Sequence, residues 1–216
     1  NMKINTEKKI LLSYPPSGSC LREDRCQVPA DNPLMSPMLP PTDLLYLAAV
    51  GERSGWVCRV EDYSGRSDST AAIYAELKEF HPRYLVIAVT SPTIAEDLEF
   101  CVAAKKVLPE VQIIAKGAHA LLFDRDMLDQ WPELDMVIRG EQEITFQEIL
   151  SGKNRADISG LTWRTADGGV RRNADRPYHE HLDDLPFPAR HLIDNGRYLR
   201  PDTGMPQAVI KVSRGC

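Results

Sequence analysis

Apolar residues along this chain alternate between two rhythms. Leu85 to Val89 is an unbroken apolar run of strand length, bounded by Pro82 before it and by Thr90-Ser91-Pro92-Thr93 after it. A run with no polar alternation fits a strand buried on both faces of a parallel sheet. Lys9 to Tyr14, Trp56 to Asp62, Val111 to Ala115 and Asp135 to Arg139 are the other expected strands. Between them apolar residues recur at helical spacing: Leu44, Leu47, Ala48 and Val50, then Ile73, Leu77 and Phe80, then Ile94, Leu98, Cys101, Val102 and Leu108. Such spacing lines one helix face with apolar side chains.

The boundaries carry cap and stop signals. Thr42 is expected to cap a helix running to about Ser54 with Gly55 as its stop, and Ser69 to cap one that ends at His81-Pro82. Thr93 with Glu96 has the spacing of a capping box. A short helix is expected from about Asp124 to Trp131, and a last one after Gly140-Glu141-Gln142-Glu143 to Leu150. Strands alternating with helices predict an α/β fold: a flavodoxin-like (Rossmann-like), doubly wound, five-stranded parallel sheet in the order 2-1-3-4-5, with Tyr84 to Val89 central. In such sheets ligands bind at the carboxyl edge of the strands.

Two stretches depart from the rhythm. Pro15 to Pro41 holds seven prolines and two cysteines and shows no period, which predicts a long ordered loop over the sheet edge. Past Gly152, Ile158 to Arg164 and Val170 to Asn173, joined through Asp167-Gly168-Gly169, carry a hairpin signal. The region from Arg176 to Pro206 reads as a linker, and Gln207 to Val212 as a fresh strand that opens a further domain. The expected division is therefore 9–152 for the α/β domain, 153–206 for hairpin and linker, and 207–216 for the start of the next unit.

Composition narrows the function. With 43% hydrophobic and 26% charged residues the chain is ordinary for a protein with one core and an appendage. No apolar run approaches membrane-span length and no signal pattern opens the chain, so no membrane partner and a cytoplasmic location are expected. A net charge of -5 without a dense basic cluster argues against nucleic acid. Cys20, Cys26, Cys58, Cys101 and Cys216 are too scattered for a disulfide framework. His179, His181 and His191 lack the spacing of a metal site, and solvation is the simpler account of them.

The strand ends carry the most specific signal: Pro40-Pro41-x-x-Leu-Leu-Tyr-Leu-Ala-Ala, Thr-Ser-Pro-Thr at 90–93, Gly117-Ala118-His119-Ala120, and Arg139-Gly140-Glu141-x-Glu143. With Asp184-Leu-Pro-Phe-Pro-Ala-Arg190 and the closing Ser-Arg-Gly-Cys, this succession resembles the amino-terminal half of cobalamin-binding radical S-adenosylmethionine proteins. The group nearest in style is the anaerobic magnesium-protoporphyrin monomethyl ester cyclases. The resemblance implies a domain that holds cobalamin as its small-molecule cofactor, with the nucleotide tail down the carboxyl edge of the sheet and the corrin facing a radical barrel downstream. It also implies that Cys216 is the first thiolate ligand of a 4Fe-4S cluster, which together with S-adenosylmethionine serves the full-length protein only. Methyl transfer or oxidative cyclisation would be the chemistry of that larger protein, and this piece alone would not be catalytic.

The implied cofactor-binding residues are Thr90, Ser91, Thr93, Gly117, His119, Gly140 and Glu141. Each has a plainer account: the hydroxyls can cap a helix, His119 can be a turn residue, and Glu141 and Glu143 suit a helix start without any ligand. No histidine lies between Ser13 and Thr42, so no Asp-x-His-x-x-Gly ligand to cobalt is available there. Lys116 and Gln142 stand where these families usually carry glycine. Lys116 in particular favours a second reading, a degenerate domain of the same fold that serves as a structural or substrate-recognition module.

Overall fold

The computed structural model describes residues 8–17, 20–23, 26–29, 39–64 and 69–211. The first strand, β1 (Lys9–Tyr14), is followed by a two-stranded antiparallel ribbon of β2 (Cys20–Glu23) and β3 (Cys26–Pro29). Helix α1 (Thr42–Arg53), strand β4 (Val57–Asp62), helix α2 (Thr70–Phe80) and strand β5 (Tyr84–Ala88) come next. Then come α3 (Ile94–Val107), β6 (Gln112–Lys116), the short helices α4 (Ala118–Leu122) and α5 (Asp124–Gln130), β7 (Met136–Ile138) and α6 (Gln142–Leu150). Strands β8 (Leu161–Arg164) and β9 (Val170–Arg172) close the series.

The sheet runs β4-β1-β5-β6-β7-β8-β9. Its first five strands are parallel and reproduce the order 2-1-3-4-5 expected of them, with β5 between β1 and β6. The expected count of five is corrected to seven, because the hairpin adds antiparallel to β7 instead of standing apart. β7 is only three residues long, and without β8 it would leave an open ladder edge that natural sheets cover or blunt. The Arg139 backbone N–H extends the seam by donating to the Gly160 carbonyl at 2.8 Å.

Each face of the sheet has its own core. Ile10, Leu12, Val86, Ile114 and Met136 point to the side of α1 and α6, where they meet Leu44, Leu47, Ala48 and Phe146. Leu11, Leu85, Ile87, Ile113 and Val137 point the other way, toward Ile73 and Leu77 of α2, Leu98 and Cys101 of α3, and Leu128 of α5. This two-sided burial is what an unbroken apolar strand requires.

Several local expectations change. Pro15 to Pro41 is not without period, since it contains the β2–β3 ribbon. Thr42 is the first residue of α1 rather than its cap; Pro41 holds the cap position and the Thr42 hydroxyl donates back to the Pro40 carbonyl at 3.2 Å. Ser69 caps α2 as expected, accepting from the Ala72 N–H at 3.2 Å. The segment after residue 176 is strapped onto α1: Ala189 N–H donates to the Leu45 carbonyl at 3.0 Å, and Arg53 to the Asp184 carbonyl at 2.8 Å. Residues 207–211 form no strand; the neighbouring β-contact is a single bridge between Leu199 and Pro206. Val212 and the tail to Cys216 lie outside the described residues. Among the described residues, no helix is long and apolar enough to cross a membrane.

Candidate functional site

The chain reverses its direction of growth at the middle of the parallel sheet. From β1 it passes to α1 on one face, and from β5 to α3 on the other, so a crevice opens between the two turns at their carboxyl ends. A carboxylate closes each side of that crevice.

On the α3 side the carboxylate is Asp97, which has no exposed surface. It accepts from the Thr90 backbone N–H at 3.1 Å, from the Thr93 hydroxyl at 2.9 Å, and from the Ser17 hydroxyl. Thr90 and Thr93 share a further contact between their hydroxyls at 2.7 Å. The capping box expected of Thr93 and Glu96 does not form. A 3-10 turn over Ser91–Thr93 precedes α3, and Thr93 makes no side-chain cap bond. The Thr93 hydroxyl is instead turned toward Asp97 and Thr90, where it makes a charge-assisted bond to the buried carboxylate.

Ser91 is exposed and joins the next turn, its hydroxyl lying 3.0 Å from Nδ1 of His119. The His119 ring leans on Phe123 at 4.8 Å between centroids. Partial burial lowers the pKa of His119, against the opposing pull of Asp97, so its neutral form is favoured. Beside it opens a cavity of about 340 Å³ lined by Ile94, Leu98, Phe123, Met127 and Trp131. Gly117 has a structural job in the turn. At φ +123° a Cβ would lie 2.5 Å from the Val89 carbonyl oxygen, so glycine is needed for the turn to pass the neighbouring strand.

Gly140 and Glu141 belong to the β7–α6 turn. Gly140 has φ +68° and nothing within 4 Å of the position a Cβ would take. Glu141 holds the cap position of α6 without a side-chain cap bond, and its carboxylate accepts from the His179 N–H at 2.6 Å. Arg139, just before them, is buried. It is 3.3 Å from Asp124 and pairs with Asp175, while its Nη2 donates to the Asn173 carbonyl at 2.6 Å. It locks the hairpin to α5 and β7. The arginine of the Arg-Gly-Glu turn is thus structural.

On the α1 side the carboxylate is Asp43, in the first turn of α1. It accepts from the Tyr14 hydroxyl at 2.7 Å and forms a short ion pair with Lys116, whose side chain is 1% exposed. Burial works against ionising Asp43, yet the charge and hydrogen bond of Lys116 with the bond from Tyr14 hold it below the ordinary carboxylate range. Asp43 and Asp97 were both missed as site residues. The signal was present: each is a carboxylate at helical spacing from buried apolar residues, Asp43 from Leu47 and Val50, Asp97 from Cys101.

The structure therefore brings Thr90, Ser91, Thr93, Gly117 and His119 to one corner, with Gly140 and Glu141 on the adjoining turn. Among the described residues no group of three or more His, Cys, Asp or Glu side chains is placed to hold a metal ion. Cys216 lies outside the described residues.

The family model of the B12 binding domain matches residues 37–150, more than half of the chain and nearly the whole α/β unit from α1 to α6. The chain belongs to the B12-binding domain family. It is 27% identical over 212 residues to an uncharacterized methyltransferase of Pyrococcus horikoshii, covering 96% of this chain and 43% of that one. To the anaerobic magnesium-protoporphyrin IX monomethyl ester cyclase of Cereibacter sphaeroides it is 23% identical over 189 residues, covering 82% of this chain and 30% of the relative. This B12-binding domain thus spans less than half the length of the curated relatives it matches. The solved structure of the cobalamin-dependent S-adenosylmethionine radical enzyme OxsB, with aqua-cobalamin and S-adenosylmethionine bound, superposes with a TM-score of 0.61. The identity is 13%, and the match covers 85% of this chain and 24% of that one. That likeness establishes the shared fold.

A cofactor as large as cobalamin fits one half of the edge better than the other. At the β7–α6 turn, open space where a Cβ of Gly140 would lie lets a ligand approach the backbone. At the α1 side Tyr14, Asp43 and Lys116 fill the corresponding place.

Proposed function

We propose that this domain binds cobalamin along the carboxyl edge of its sheet, as the cofactor-carrying part of a longer radical S-adenosylmethionine protein. The observation that carries the reading is the B12-binding family match over residues 37–150, laid over an edge where the Gly140 backbone has open space beside it. Gly140, Glu141 and the amides at the start of α6 would hold polar groups of the cofactor, with Ser91 and His119 at the neighbouring rim. Thr90 and Thr93 act behind them, fixing the turn through Asp97. When bound, cobalamin supplies a cobalt centre able to carry a methyl group or exchange electrons. The loop after β1 contains no histidine, and Nδ1 of His119 lies 3.0 Å from the Ser91 hydroxyl, so the residues that would hold the cofactor would do so without a histidine from that loop. In the larger protein a barrel downstream would face the corrin, with Cys216 as one thiolate of a 4Fe-4S cluster. We place the protein in the cytoplasm, without nucleic-acid or membrane partners.

Titration of the purified chain with hydroxocobalamin, followed by visible spectra, tests binding, and electron paramagnetic resonance of the cob(II)alamin form tests the axial ligand. Saturable binding without nitrogen superhyperfine splitting is expected. Splitting from an axial nitrogen would refute the histidine-free geometry. Absence of binding would favour the second reading, a scaffold of the same fold that takes no cobalamin, for which the buried Lys116–Asp43 pair is the supporting observation.

A further inference from the structure

The cavity beside His119 has no part in the cobalamin reading, and its walls follow from helix geometry. Phe123, Asp126, Met127, Gln130 and Trp131 recur at helical spacing, so α5 and the residue before it turn one face to the cavity. Ile94 and Leu98, one turn apart on α3, line the opposite wall. Leu98 and Met127 are buried and form the floor, whereas Phe123, Asp126 and Gln130 are exposed and stand at the mouth. The space of about 340 Å³ is at the small end of ligand pockets.

The Trp131 end of the wall is fixed from behind. Arg164 donates through Nη2 to the Trp131 carbonyl at 3.2 Å and also bonds the Leu128 carbonyl. Its guanidinium is thereby spent on carbonyls, and among the described residues no lysine or arginine lines the cavity.

The lining is matched to one kind of charge. Phe123 and Trp131 bring two aromatic rings, whose faces are electron-rich, and Met127 adds a polarizable thioether. Asp126 is the one carboxylate of the lining and makes no ion pair among the described residues. An anion would be repelled by Asp126, and a metal ion would find a single hard ligand. A neutral apolar molecule would gain nothing from the carboxylate. An organic cation uses every part: its methyl groups bury on the floor, and its charge meets the ring faces and Asp126.

We propose that the cavity between α3 and α5 is a binding site for a small methylated ammonium compound of about the size of choline. Phe123 and Trp131 supply the aromatic walls, and Asp126 answers the charge at the mouth. Binding there is independent of cobalamin.

The test uses the natural chain without cobalamin and two probes of the same shape: choline, and neopentyl carbinol, in which a quaternary carbon replaces the choline nitrogen. Affinities are read by saturation-transfer NMR of the ligand methyl protons, and circular dichroism checks that every variant is folded. Choline should bind saturably and about fivefold or more tighter than neopentyl carbinol. Trp131→Leu should weaken choline by about fivefold. Asp126→Asn, an exposed position that keeps the test open if Trp131→Leu does not fold, should weaken choline by about threefold and leave the alcohol unchanged. Asp129→Asn removes the same charge from an exposed position of α5 outside the lining and should bind choline as the natural chain does.

Neopentyl carbinol bound as tightly as choline overturns the site, because the preference for charge is then absent. Asp126→Asn with natural affinity for choline, or Asp129→Asn with an equal loss, overturns it as well. So does the absence of a saturable choline signal up to about 50 mM.

Discussion

Removing the Asp97 carboxylate should loosen the candidate site and the fold together, and its cost can be worked from the bonds it makes. Asp97→Ala leaves the buried Thr90 N–H without its acceptor, which costs about 1–3 kcal/mol. The Ser17 and Thr93 hydroxyls lose a charged acceptor too, but they can turn, and Thr93 keeps Thr90 as a neighbour at 2.7 Å. Their loss adds about 1 kcal/mol between them. A net destabilisation of about 3 kcal/mol follows, and in a chain of this size it should lower Tm by about 6–12 °C. Asp97→Asn keeps an oxygen for Thr90 and should cost only about 1 kcal/mol. Urea unfolding followed by circular dichroism measures both. Asp97→Ala within about 0.5 kcal/mol of the natural chain, or Asp97→Asn as damaging as Asp97→Ala, would refute the account of Asp97 as an acceptor that stitches the β1 and β5 turns.

Three further perturbations test other parts of the argument. Gly117→Ala should cost about 3 kcal/mol through a forbidden φ and a clash with the Val89 carbonyl, whereas Gly140→Ala, with open space around it, should cost only about 1 kcal/mol. Equal urea midpoints for the two would contradict the distinction. Burial raises the pKa of Asp62, in spite of its bonds from Ser64 and Tyr198. A raised folded pKa contributes stability that is complete below the unfolded value of 3.8 and is lost as pH rises through the folded value. Asp62→Asn should therefore gain on the natural chain between pH 3.5 and pH 7, about one midpoint comparison at each end, and a pH-independent difference would overrule it. Cys58, whose thiol is pushed up to about 12 by burial, and Cys101, pushed higher still, should resist iodoacetamide until the chain unfolds. Labelling of either at its unfolded rate in native conditions, read by peptide mass, would count against their burial.

The parallel sheet was legible because its strands report on themselves. Leu85 to Val89 has no polar position, so burial on both faces follows without knowing its neighbours, and the strand order follows from the alternation with helices. The hairpin was legible as a hairpin and not as sheet strands six and seven. Its docking depends on Arg139, Asp124 and Asp175, three charges distant in sequence that declare a pairing only once folded. The capping box failed for a related reason. Local spacing made Glu96 the partner of Thr93, while the stronger partner, Asp97, stood one residue further on and was buried. Lys116 was noticed as a departure from glycine, but that it is buried in an ion pair depends on Asp43, 73 residues earlier.

Those misses share a cause that bears on the site. Many polar side chains at the carboxyl edge bond within the protein: Thr90 and Thr93, both expected at a ligand, to Asp97, and beside them Lys116 and Tyr14 to Asp43 and Arg139 to the hairpin. A buried donor or acceptor must find a partner on folding, so a polar residue at a strand end with little exposed surface is already committed before any ligand arrives. Beside these committed groups the edge has open space at the Gly140 backbone, and the exposed Ser91 lies 3.0 Å from Nδ1 of His119. Recognition built on backbone amides and glycine depends on the shape of the turn and little on side-chain identity. On the cobalamin reading proposed above, such a site would tolerate the side-chain differences that 23–27% identity implies, provided the carboxylates that hold the turns in place are kept or replaced by something of equal bonding capacity.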